Sequence, residues 1–191
     1  MASDIIDHPV LEALYHYWWN KRGGRPLPAR HDIDPVEMGP RLLPHLLLCD
    51  LFDRGARVRF RLVGTHVVTR FGFDPTGQHL EEMPDGGYFA HLAELYHLSC
   101  RERAPVSSES RFRWGVNRRL SVRHLILPLA TGGSEPTMAL AGVVFQSDEV
   151  FPPQIRTLNT FAVHDDCRCT VLTTPGDMPA MGDVQRGLSV A

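Results

Sequence analysis

Apolar positions recur at helical spacing in the first patterned segment of the chain. Val10, Leu14, Tyr17 and Trp18 share one side of a helix read from about Pro9 to Arg22, and Leu11, Tyr15 and Trp19 widen that side. Gly23 and Gly24 stop it, and Pro26 and Pro28 keep the next segment extended. A helix this aromatic must be covered, either by the core of its own domain or by a second copy of the chain. Asp34-Pro35-Val36-Glu37 supplies an N-cap, a proline at the first helical position and a carboxylate able to complete a capping box. A short helix ending before Pro44 is predicted there.

The period then shortens. Leu46 to Phe52 is a compact apolar run of strand length, and Asp53-Arg54-Gly55 is a turn. Arg57 to Leu62 alternates strictly, with Val58, Phe60 and Leu62 predicted on a buried face and Arg57, Arg59 and Arg61 on the other. The two strands make a hairpin. Thr65 to Phe71 reads as a short helix after Gly64, and Asp74-Pro75-Thr76-Gly77 as a type I turn. From Tyr88 to Arg103 a longer helix carries Phe89, Leu92, Ala93, Tyr96 and Cys100 in a stripe. Three strands follow, Arg111 to Trp114, Leu120 to Leu129 and Thr137 to Gln146, with Thr131-Gly132-Gly133-Ser134 turning between the last two. Residues 152–166 leave room for a helix, and Thr173 to Ala191 reads as a loose tail.

This order predicts an α+β domain: one antiparallel sheet of five strands with helices on its apolar face, preceded by an N-terminal helix. The boundaries fall at residues 1–24 for the aromatic helix, 25–148 for the domain and 149–191 for a partly disordered extension. Strand order is not set by the pattern.

Composition narrows the class. The 191 residues suit one domain with terminal segments, and 43% hydrophobic with 22% charged residues is the balance of a folded chain. No apolar run approaches the roughly 20 residues that span a bilayer. The acidic start, Met1-Ala2-Ser3-Asp4, is unlike a secretory signal. No membrane insertion and a cytoplasmic location are expected. Cys49, Cys100, Cys167 and Cys169 are too few for a disulfide framework. A net charge of −2 argues against nucleic acid as a partner. Of the 20 basic residues only Lys21 is lysine. A GC-rich genome accounts for that number but not for placement. Arg57, Arg59 and Arg61 share one strand face, and Arg111 and Arg113 share another. They line either a solvated surface or a docking face for an acidic protein or the first helix of a second copy.

Several segments together resemble the stand-alone bacterial PAS domains of the alphaproteobacterial type. They are Trp19, Arg22 and Gly23; Leu27-Pro28-Ala29-Arg30 with Asp32-Ile33-Asp34-Pro35; Arg59-Phe60-Arg61-Leu62-Val63-Gly64-Thr65; Gly72, Asp74, Thr76 and Gly77; and Leu127-Pro128-Leu129. The similarity runs over roughly residues 8–147. It implies a five-stranded antiparallel sheet, a sensory or scaffold role, small-molecule binding between sheet and helices, and dimerisation. It implies no one ligand.

Candidate chemistry is sparse. His79, His91 and His97 lie on or near the central helix, where a haem-binding PAS domain places its axial ligand, yet none sits in a haem motif. His91 and His97 are six residues apart and do not share a helix face. His164-Asp165-Asp166-Cys167-Arg168-Cys169 mixes soft and hard ligands, but its cysteines are closer than usual zinc spacing and no second pair is evident. Zinc is weighed there against an ordinary strand or loop with free thiols. Cys100 lacks the context of a flavin photosensor cysteine. No nucleophile elbow, zinc-protease helix or phosphate loop is present, so no catalytic residue is assigned and no enzyme is expected.

Phe71, Tyr88, Leu92, Leu95, Phe112, Trp114, His124 and Phe145 are candidates to line an apolar ligand pocket, or simply to fill a close-packed core. Leu14, Tyr17, Trp18, Arg59, Arg61, Arg111 and Arg113 are candidates for a partner or homodimer face. With no kinase, cyclase or DNA-binding motif in view, a signal is expected to leave through protein contact. The reading is a single-domain sensor or scaffold of bacterial signal transduction. The alternative is a carrier or sensor of haem or another apolar ligand.

Overall fold

The computed structural model describes residues 6–83, 87–114, 118–146, 162–163 and 167–172, without the side chains of residues 113, 114, 118, 119, 162 and 163. The predicted helix at 152–166 and the tail from Thr173 lie largely outside these residues.

Helix α1 spans Pro9–Arg22, as the spacing predicts; the His8 side chain accepts from the Val10 N–H, and Gly23 closes it at φ 57°. Helix α2 spans Pro35–Leu42 with Asp34 as its N-cap and a kink at Gly39, whose φ of 65° and ψ of 178° are not helical. Glu37 pairs with Lys21 of α1. Strands β1 (Leu46–Phe52) and β2 (Arg57–Val63) form the expected hairpin. Helices α3 (Thr65–Phe71) and α4 (Gly87–Glu102) follow. Strands β3 (Val106–Trp114), β4 (Arg118–Ala130) and β5 (Pro136–Gln146) make an antiparallel meander. Two short strands, β6 (Ala162–Val163) and β7 (Arg168–Val171), both pair with β3. The seven-stranded sheet has the order β2-β1-β5-β4-β3-β6, with β7 also on β3. The α+β class and the five-strand antiparallel core are as predicted, and β6 and β7 extend the sheet.

Strand alternation sends side chains to both faces, and both are covered. Leu47, Cys49, Phe60, Ile126, Ala141 and Val143 face α3 and α4. Leu46, Leu125, Leu127, Leu129, Leu140 and Val144 face α1 and α2. The N-terminal helix therefore lies on the face opposite the central helices. Gly142 makes this approach possible, because a Cβ there would meet the Leu11 and Leu14 side chains. Trp18 is buried beneath α1 and donates from Nε1 to the Pro128 carbonyl at 2.9 Å.

Several segments behind the family resemblance have direct structural work. Asp32 accepts from the Ala29 N–H at 2.7 Å and from Arg25 at 2.6 Å. The Ala130 N–H donates to the Pro28 carbonyl at 3.0 Å. At Gly64 a Cβ would strike the Leu43 and Pro44 carbonyl oxygens, so the turn from β2 into α3 admits only glycine without rearrangement.

Two expectations are corrected. Leu62 does not join Val58 and Phe60 inside: it is 42% exposed. The β1–β2 register shifts between Leu48 and Cys49, so Leu48 faces Leu62 while Cys49 faces Phe60. This irregularity leaves Arg61 as an extra residue and turns Leu62 to the outer face. Strand β3 also begins five residues before the predicted start. Its inward positions there are Val106, Ser108 and Ser110, and serines break the apolar alternation that would have marked a strand.

Candidate functional site

A buried polar cluster occupies the space between α4 and the β4–β3–β7 end of the sheet. Tyr88 and His91 are three residues apart on α4 and lean toward the sheet. Ser108 and Ser110, two apart on β3, face inward. His124 enters from β4. Cys169 lies opposite Ser108 in the β3–β7 register, and Cys167, two residues earlier, reaches the same cluster.

The bonds are specific. His91 Nε2 is 2.8 Å from Ser110 Oγ and 3.1 Å from Ser108 Oγ. The two serine hydroxyls stand 2.9 Å apart. Cys167 Sγ is 3.3 Å from Ser110 Oγ, 3.8 Å from Cys169 Sγ and 3.9 Å from His91 Nδ1. His91 is buried, while both cysteines are half-buried. The thiol of Cys169 beside it draws Cys167 below the ordinary thiol range, against the upward pull of burial; Cys169 is pushed up by the same contact. Next to this group, Tyr88 Oη and His124 Nε2 are 3.1 Å apart. Burial holds His124 well below the ordinary imidazole range and lifts the Tyr88 phenol. His124 Nδ1 is buried without a hydrogen-bond partner among the described residues.

The predicted pocket residues do converge. Phe71, Tyr88, Leu92, Leu95, Phe112, His124 and Phe145 are all buried, and Tyr88 is the hub. Its ring centroid lies 5.3 Å from Phe112, 5.6 Å from His124, 5.8 Å from Phe71 and 6.4 Å from Phe145. These rings pack against one another. The side chain of Trp114 lies outside the described residues.

The predicted partner face separates. Leu14 and Trp18 are sealed against their own sheet and offer nothing to a second chain. Tyr17 holds the backbone of Asp34, accepting from its N–H at 2.8 Å. Arg59 and Arg61 both reach Asp50, at 2.6 and 3.3 Å. Arg111 is exposed on β3, far along the sheet order from β2, and the Arg113 side chain lies outside the described residues. Of the histidines weighed for haem, His97 is exposed, and His79 sits near Glu81 and Phe52 away from the cluster.

The central sheet order 2-1-5-4-3, with α3 and α4 on one face, agrees with a family-model match to PAS domain over residues 6–144. The chain belongs to the PAS domain family. No curated protein and no solved structure matches the chain. Membership suggests a sensor or signalling module, a class typically sensory and not catalytic. Among the described residues of this PAS domain, no helix is long and apolar enough to cross a membrane.

What sequence reading missed is the assembly. It weighed His91 and the Cys167–Cys169 pair separately, 76 residues apart for His91 and Cys167. Ser108 and Ser110 carried no signal beyond their failure to alternate.

Proposed function

We propose that this PAS domain is a sensor or scaffold of signal transduction, with its input in the helix–sheet core and its output in a protein contact on the β1–β2 face. The observation that carries this reading is the buried polar cluster of His91, Ser108, Ser110 and His124. Desolvating such groups costs more than filling the same space with hydrocarbon. A fold built for stability alone has no use for them, whereas a sensor needs groups that respond.

The output half is supported by charge and shape. Asp50 is shared by Arg59 and Arg61, so this face keeps a positive surplus. Beside it stand Leu62 at 42% and Phe52 at 40% exposure. Guanidinium groups around an apolar centre suit a protein surface carrying carboxylates. Such a protein is the proposed partner, with homodimerisation through the same face as the alternative occupant.

The test compares the full chain with the double variant Arg61→Glu/Leu62→Asp and with Val36→Asp as an exposed control on α2. Proteins held by the wild type and the control but lost by the double variant support the proposal. Light scattering on the same samples reads a homodimer as a doubled mass that the double variant halves. Unchanged retention and mass in the double variant would exclude this face.

A second reading, a small-ligand carrier or sensor, is favoured by the unpartnered Nδ1 of His124 beside the Tyr88 ring cluster. An absorption spectrum and a native mass of freshly purified protein check it. A chromophore band or an added mass is expected; a colourless protein of bare mass counts against it.

A further inference from the structure

The geometry points to a zinc-binding site formed by His91 of α4 with Cys167 and Cys169 at the β7 edge. It deepens, and rests on, the reading of the core as the input side.

The donor atoms of these three residues lie within 4.8 Å of one another. Two Zn–S bonds of about 2.3 Å at a tetrahedral angle hold their sulfurs about 3.8 Å apart. The Sγ atoms of Cys167 and Cys169 are separated by 3.8 Å. On the imidazole, Nδ1 is 3.9 Å from Cys167 Sγ, so small shifts bring all three donors onto one ion. Cys167 Sγ is equally far, 3.9 Å, from Nε2, but that nitrogen is 2.8 Å from Ser110 Oγ; the tautomer protonated at Nε2 would donate there, hold the ring and leave Nδ1 as the ligand. Metal-bound histidines are commonly oriented in this way. That places the two serines as positioning residues.

The donor set chooses the ion class. Two sulfurs and an imidazole suit a thiophilic ion such as Zn²⁺ and not Mg²⁺ or Ca²⁺, which take oxygen. On binding, each thiol that is still protonated gives its proton to solvent, and the thiolates and the neutral imidazole each donate a lone pair. Three protein ligands leave a fourth position for water or an incoming ligand, the arrangement of an open zinc site. A disulfide between the two cysteines is the competing chemistry. Residues two apart on an extended strand have Cα atoms about 6.6 Å apart, at the long limit for a bridge. The ion would join two stretches of chain far apart in sequence and would tie β7 to α4.

The experiment uses the full chain, reduced and stripped of metal, titrated with zinc chloride by calorimetry against a competing chelator. One equivalent is expected to bind and raise the melting temperature. Co²⁺ in its place should show thiolate charge-transfer absorption and the visible bands of a tetrahedral site. Cys167→Ser and Cys169→Ser should each weaken binding at least about 100-fold, and Ser110→Ala about 10-fold, the range seen for outer-shell partners. Cys100→Ala should leave it unchanged. Should the variants fold poorly, alkylation of the wild type read by peptide mass keeps the test open: zinc should protect Cys167 and Cys169 together. Absent binding, equal binding by the cysteine variants, or unprotected cysteines would overturn the site. Because zinc is read on the isolated protein, its failure leaves the β1–β2 contact standing, and loss of that contact leaves the zinc result standing.

Discussion

His66 on α3 sits ring to ring with His45 at 4.4 Å and near Phe145 at 6.0 Å. Burial, then the positive ends of His45 and Arg70, lower its pKa from 6.5 to about 4. The side chain is therefore neutral in the folded protein at neutral pH. Between about 6.5 and about 4 the unfolded chain takes up a proton that the folded chain refuses, so stability falls as pH falls through that window. His124, also held neutral by burial, acts in the same direction. Melting at pH 7.5 and pH 5 should show a lower transition at pH 5, and His66→Asn should shrink the difference. An equal drop in the variant would place the acid sensitivity at other groups. Of the charged neighbours that lower His66, Arg70 is one turn on in α3, whereas His45 comes from the turn before β1 and no local pattern around position 66 announces it.

Helix α1 shows what an element gains from its neighbours. Its aromatic side was legible in the sequence, and so was the need for a cover; the choice between its own sheet and a second chain was not. That choice depends on Gly142, 128 positions beyond Leu14, where a missing Cβ lets the helix settle on β5. Trp18→Ala should cost about 3–5 kcal/mol, the usual range for emptying a buried tryptophan site, and should free the Pro128 carbonyl. Chemical denaturation measures it; a loss under 1 kcal/mol would mean the helix is loosely docked. Deleting residues 1–22 should expose Leu125, Leu127 and Leu140 and cause aggregation, whatever the oligomeric state of the intact chain. Light scattering against concentration checks this, and a well-behaved truncated chain would refute it.

For the molecule as a whole, the family match ends at residue 144, yet the sheet does not. Strand β7 pairs with β3 from Val106 to Glu109, and Cys169, Val171 and Leu172 pack on the two cores. A chain cut after Gln146 should keep the β1–β5 sheet, with a similar circular dichroism spectrum, but melt several degrees lower. Hydrogen exchange should localise the loss to β3. An unchanged melting temperature would show that the added strands contribute nothing to stability. The same cut removes both cysteines and should abolish the response to zinc.

Local pattern was enough wherever the cause was local. Helical spacing and caps placed α1, α2 and α3, though not the kink at Gly39 inside α2, and alternation found β2 and the start of β4. The placement of Arg57 and Arg59 on the polar side of β2 was legible too, because residues two apart on a strand must share a face. Tertiary structure decided what depends on distant chain. A register shift against β1 turned Leu62 outward. The shared carboxylate of Asp50 made Arg59 and Arg61 one patch. Pairing of β7 with β3 set the two cysteines beside His91 and the inward serines. Each needs contacts between residues far apart in sequence, and such contacts leave no periodic trace. The polar cluster was hardest to see for a further reason: serines and histidines inside a strand and a helix interrupt the apolar pattern by which those elements are recognised.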